Sequence, residues 1–118
     1  MTELGRRRRA QPAPPRVIWE ALIRPGRPGG REWLRLLADE VEPTVRESRA
    51  PDLVVWESIW PHRPDDRIVF DIAPDGAGSM LCWTLLTDAE PPGPTRLNHL
   101  RQRLNQIVNA DLRRSFGQ

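Results

Sequence analysis

The chain has 118 residues, 38% of them hydrophobic and 29% charged, which is enough for one domain around one core and too little for two. No apolar run approaches the roughly 18 to 20 residues that span a bilayer, and the basic start "MTELGRRRRAQPAPP" lacks the apolar stretch of a secretory signal, which points to the cytoplasm. All 18 cations are arginine and they are uneven: five Arg against Glu3 in residues 1–16, eight against fourteen acids in 17–95, five against Asp111 in 96–118, with the aromatics mainly in the acidic middle, so nucleic acid is not an expected partner.

In chain order, "RRRRAQ" (Arg6 to Gln11) reads either as a strand with solvated side chains or as a disordered basic arm. "APPRVIWEALI" (Ala13 to Ile23) reads as a helix, with Pro14 and Pro15 suited to a first turn and Val17, Ile18, Ala21 and Leu22 at helical spacing. "RPGRPGG" breaks the chain. "REWLRLLADEV" (Arg31 to Val41) is expected as a second helix with Trp33, Leu34, Leu37 and Val41 on one side.

Thr44 to Ser48 is a short extended piece. Leu53 to Trp60 alternates, with Val54, Trp56, Ser58 and Trp60 pointing one way. Ile68 to Ala73 and Met80 to Thr87 are strands joined by "PDGAG", the strongest local signal in the chain. Ile68, Phe70 and Ile72 share a face, as do Leu81, Trp83 and Leu85, and these point inward because Asp71 then meets water. Cys82, the single cysteine, cannot form an internal disulfide and is expected to be a buried, inert thiol. From Thr95, a candidate N-cap, to about Phe116 runs one long helix. Leu97, Leu100, Leu104, Ile107, Val108, Leu112 and Phe116 form its apolar stripe, with Arg96, Arg103, Gln106 and Arg113 opposite. At roughly 22 residues it is about 33 Å long, enough to cross a whole sheet.

This order of elements resembles the helix-grip fold of the START-like (SRPBCC) superfamily, which includes polyketide cyclase/dehydrase-like and lipid-transfer proteins. The residues that carry the resemblance are "APPRVIWEAL" after the first strand, the tryptophan-containing "REWL", the strand pair "RIVFDIAPDGAGSMLCWTLL" and the closing helix. The "GAGSMLCW" hairpin matches a pattern of that superfamily, and the likeness covers about residues 4 to 117. The chain departs from the usual six or seven strands, offering four or five. The resemblance implies an α+β fold: a curved antiparallel sheet of about five strands wrapped around the long C-terminal helix, with two short helices after the first strand. It implies a single START-like domain over residues 1–118, with residues 1–5 expected to be flexible.

The resemblance further implies a groove between sheet and helix that takes a hydrophobic small molecule. Its lining would be Trp56, Trp60, Phe70 and Trp83 on the strands and Leu100, Leu104 and Ile107 on the helix, with His99 and Arg103 as polar contacts at its mouth. The opposing reading is that these large side chains simply fill the space under the helix. No motif amounts to a catalytic site, no cofactor is implied, and two histidines with one cysteine make no metal site. His62 reads as a solvated turn residue, Arg103 as a surface arginine lying along the helix, and Asp65, Asp66, Asp71 and Asp75 as solvated acids. Two other functions stay open: a cyclase or dehydratase whose cavity shapes a polyketide-like substrate, and a homodimeric or partner-binding module with a vestigial pocket.

Overall fold

A computed structural model of the chain describes residues 1–25 and 33–116. Five strands form one antiparallel sheet: β1 (Thr2–Gln11), β2 (Val45–Arg49), β3 (Leu53–Glu57), β4 (Asp66–Asp75) and β5 (Gly78–Thr87), in the order β1-β5-β4-β3-β2. Helix α1 (Pro15–Ile23) follows β1. Helix α2 (Pro94–Asn105) follows β5 and continues into a π-helical segment, Gln106–Leu112. This is the α+β helix-grip architecture, a five-stranded antiparallel sheet packed on a C-terminal helical rod.

Period-two patterning builds the inner face. Ile68, Phe70 and Ile72 of β4 and Leu81, Trp83 and Leu85 of β5 are all buried, and Asp71 is exposed. Asp75 pairs with Gly78, so the hairpin loop is Gly76 and Ala77. Gly76 has φ +57°, the left-handed region a two-residue hairpin loop needs at its first position. The arginine run is a strand. Arg7 and Arg9 pair with the inward Trp83 and Leu81, while Arg6 and Arg8 pair with Thr84 and Cys82 on the other face. Residues 1–5, expected to be flexible, are strand from Thr2 onward, and Leu4 enters the core at a bulge between Glu3 and Gly5. Cys82 is half-buried on the outer face, not in the core, because it alternates with Leu81 and Trp83.

The second expected helix does not form. Residues 31 and 32 lie outside the described residues, and Trp33 to Val41 run without helical structure. Only Trp33 and Leu34 of the expected apolar face are buried; Leu37 and Val41 are exposed. Tertiary partners claim this strip in place of an internal ladder. The Trp33 indole donates to the Ala21 carbonyl at 2.9 Å, the Val41 amide donates to the Ile59 carbonyl at 2.8 Å, and the Arg35 carbonyl accepts from Arg103. Helical spacing in nine residues is a weak prior when each backbone group finds a better partner elsewhere.

The end of α1 illustrates the same economy. Its last carbonyls have no partner within the helix. Those of Ala21 and Leu22 accept the indole N–H groups of Trp33 and Trp56, at 2.9 and 2.8 Å. Ile18 and Leu22 are fully buried, and the indole of the half-buried Trp19 reaches the Leu53 carbonyl at 3.0 Å.

The closing rod covers residues 94–114. Thr95 is not its cap; Gly93 holds that position and Pro94 begins the helix, where its missing N–H costs nothing. The π turn brings Ile107, Val108 and Leu112 all into the core. There the side-chain amide of Gln11, at the end of β1, donates to the Val108 carbonyl at 3.1 Å. A bond from the edge strand to the rod thus secures the stretch where the helix widens.

Candidate functional site

Four of the seven residues expected to line a groove, Trp56, Trp60, Phe70 and Trp83, come from the sheet side, and Leu100, Leu104 and Ile107 come from the rod. The structure brings all seven together in one apolar cluster. Six have no exposed surface, so no water-sized void adjoins them, and Trp83 keeps 1%, at the flank. Phe70 meets the Trp56 ring edge-on at 4.8 Å between centroids, and Trp33 stacks with Trp56 at 6.2 Å. All five indole N–H groups donate to acceptors of the protein: Leu53, Ala21 and Leu22 carbonyls, the Glu40 carboxylate and the Asn105 side chain. The space beneath the rod is packed interior.

The two expected polar contacts go elsewhere. His99 is exposed, on the solvent side of α2. Arg103 is neither at a groove mouth nor on the surface; it is 4% exposed. It lies one turn from Leu100, on the inward stripe, and its guanidinium grips the Glu40 carboxylate, Nε to Oε2 at 2.7 Å and Nη2 to Oε1 at 2.8 Å. Glu40 also accepts the Trp60 indole at 3.2 Å and the Leu37 amide at 2.9 Å. Asp111 stands 4.0 Å from Arg103 Nη1. Burial pushes the Asp111 carboxyl above its ordinary range, against the pull of Arg103 and, more weakly, Arg35 and Arg114. Asp66, expected in water, is buried and held by Arg63 through two hydrogen bonds, of 2.7 and 3.0 Å. His62 is exposed, with Arg96 3.5 Å away. Among the described residues no three His, Cys, Asp or Glu side chains converge as a metal site would require.

The hollow between sheet and rod lies at the flank. A recess of about 360 Å³ opens between β1 and α2, floored by Trp83 and walled by Gly5, Arg6 and Arg7 on one side and Arg101 and Asn105 on the other. Gly5 lets the two elements approach: a Cβ there would stand 3.0 Å from Arg101 Cγ and 3.3 Å from the Trp83 ring. Arg101 uses its Nε on the Leu4 carbonyl at 2.7 Å, which aims the guanidinium at this opening. Asn105 receives the Trp83 indole at 3.3 Å, so its amide nitrogen remains a donor. Glu3 is the sole acid in the lining and is paired with Arg6 at 3.2 Å. Arg7 has no hydrogen-bond or ion-pair partner among the described residues. The recess is therefore a polar, net cationic opening over the edge of an indole, suited to holding an anion by charge-assisted hydrogen bonds.

Arg7, Arg101 and Asn105 were not singled out from the sequence. Had "RRRRAQ" been assigned as strand beside β5, alternation would have placed Arg7 on the inner face. Nothing in the sequence marked Glu40.

No protein-family model matches the chain, and neither does any curated protein sequence. Solved structures do resemble it. CalU16 from Micromonospora echinospora superposes with a TM-score of 0.66 at 18% identity, over 92% of this chain and 70% of that one. The Aha1 dimer from Colwellia psychrerythraea gives 0.70 at 15% identity, over 93% and 92%. Ara h 8.0201 gives 0.59 at 11% identity, over 97% of both. All three share the sheet-and-rod architecture.

Proposed function

We propose that this chain, which has the helix-grip fold of the START-like (SRPBCC) superfamily, binds a small amphipathic anion in the recess between β1 and α2. The observation that carries this reading is the convergence of Arg7, Arg101 and Asn105 around a hollow of about 360 Å³. That volume is within the range of about 300 to 1,000 Å³ in which small ligands are held. The ligand expected from the fold alone is hydrophobic. The lining favours one with a carboxylate or similar head for the arginines and a compact apolar body against the Trp83 edge. The filled interior supports binding at the flank over binding under the rod.

Calorimetric titration with naphthoate, compared with the uncharged naphthamide, tests the proposal. Naphthoate binds, naphthamide binds about tenfold more weakly, and Arg7→Ala removes about tenfold of the naphthoate affinity, the worth of one charge-assisted hydrogen bond. Equal binding of acid and amide, or an Arg7→Ala variant that binds as well as the parent, overturns it.

A homodimer is the second reading. It is supported by the likeness to an Aha1 that is a dimer and by three exposed apolar side chains, Leu36, Leu37 and Val41, near one another in the strip after α1. Sedimentation velocity checks it: Leu37→Glu converts a dimer to a monomer if this surface is the contact.

A further inference from the structure

β1 is ten residues long and stands at the end of the sheet, with β5 on one side and, among the described residues, no strand on the other. Its outer edge makes no backbone hydrogen bond to any loop or turn among the described residues. Side chains reach two carbonyls of the strand, Leu4 from Arg101 at 2.7 Å and Arg8 from Arg9 at 3.4 Å; the rest of an edge of that length offers alternating N–H and C=O groups with which another chain can pair. What occupies this edge is Arg6 to Arg9, and we propose that it is a docking strand for an extended acidic segment of another protein, which adds to the sheet beside β1.

Charge disfavours a second copy. Two chains joined β1 to β1 place the arginine block against itself, and like charges directly opposite destabilise a strand pair. The other edge strand, β2, carries Arg46 and Arg49 against Glu47, so joining β1 of one copy to β2 of the next is no better matched. The arginines protect the edge from this chain and leave it open to an acidic one.

The distribution of the cations decides between a peptide and a nucleic acid. Arg6 and Arg8 lie on the outer face of the sheet and Arg7 and Arg9 on the inner face, as their pairing with Thr84, Cys82, Trp83 and Leu81 shows. Cations divided between two faces do not form the one-sided row that a phosphate backbone follows. A peptide strand alternates in the same way, so consecutive acids fall beside consecutive arginines, above and below the sheet in step. Its backbone also supplies N–H donors for the exposed β1 carbonyls, which a phosphodiester lacks. The arginines are available for this. Arg6 has only an exposed pair with Glu3, Arg8 has no ion pair among the described residues, and Arg9 has no ion pair among them and spends one guanidinium nitrogen on the Arg8 carbonyl at 3.4 Å.

The docking edge is separable from the recess, because Arg8 lies on the outer face and does not line it. The test is fluorescence anisotropy with a labelled peptide, Thr-Val-Glu-Glu-Glu-Glu-Val-Thr. Beside it run the same peptide N-methylated at its glutamates and an oligothymidylate of similar length. The parent peptide binds with a strong salt dependence, and the N-methylated form, equal in charge but without N–H donors at its glutamates, binds at least about tenfold more weakly. Arg8→Ala costs about threefold and Arg8→Glu about tenfold, with naphthoate binding unchanged. Amide exchange of β1 slows in the complex. Absence of peptide binding, equal binding of the N-methylated peptide, or tighter binding of oligothymidylate each overturns the proposal.

Discussion

Arg103 on α2 and Glu40 in the strip after α1 form a doubly hydrogen-bonded pair, with contacts of 2.7 and 2.8 Å, although the partners are both almost wholly buried. Glu40 in addition holds the Trp60 indole and the Leu37 amide. The pair therefore ties the non-helical strip to the rod and to the end of the sheet. Glu40→Ala leaves a buried guanidinium without its counter-charge and is expected to cost about 3 to 5 kcal/mol in urea unfolding. The double variant Glu40→Leu/Arg103→Met is expected to lose less than Glu40→Ala, because no guanidinium is then stranded; what it still loses is the cation beside Asp111 and the acceptor of the Trp60 indole and Leu37 amide.

Asp111 carries the pH signature of the same region. Its carboxyl is raised by burial, so the folded chain holds this proton more tightly than the unfolded chain does. Ionised Asp111 therefore costs stability at neutral pH, and the cost fades as pH falls through the raised value toward the ordinary 3.8. Asp111→Asn is expected to be more stable than the parent at neutral pH, with the difference shrinking toward about pH 4. Urea midpoints of both proteins across that range check the sign.

The packed interior makes its own prediction. Phe70→Ala should cost about 3 to 5 kcal/mol, since Phe70 is fully buried against Trp56 and its removal leaves a void. The parent should show no thermal shift with benzene, and the variant should be stabilised by it, because a dry apolar void accepts such a probe.

At the recess, Gly5→Ala places a Cβ about where Arg101 now passes, 3.0 Å from its Cγ. The arginine has to move and gives up its bond to the Leu4 carbonyl. A loss of about 1 kcal/mol in stability, with a weaker affinity for naphthoate, is expected and is read by the same unfolding and titration experiments.

The parts of this molecule legible in the sequence are those set by local pattern. Alternation through Ile68, Phe70, Ile72 and Leu81, Trp83, Leu85 places the central hairpin, and the 3-4 spacing from Leu100 to Leu112 places the rod. What stayed hidden depends on partners distant in sequence. Trp33 and Glu40 read as helix residues because nothing nearby reveals that the strip will bond to α1, Ile59 and Arg103. Arg103 reads as a surface cation because its counter-charge is 63 residues away. The arginine block was ambiguous as long as β5 was not known to lie beside it, and the recess it helps to wall was hidden for the same reason. Trp56, Trp60 and Trp83 read as inward-facing from alternation, but only the complete set of five indole acceptors distinguishes packing from a ligand cage.

The central claim, that ligand binds at the flank and the interior is full, is tested most directly by the indole N–H signals in a nitrogen–proton correlation spectrum during naphthoate titration. Binding in the recess shifts the Trp83 indole and the Asn105 side-chain amide and leaves the Trp56 and Trp60 indoles in place. Movement of Trp56 and Trp60 with Trp83 unaffected would contradict it, because the ligand would then have opened the space beneath the rod.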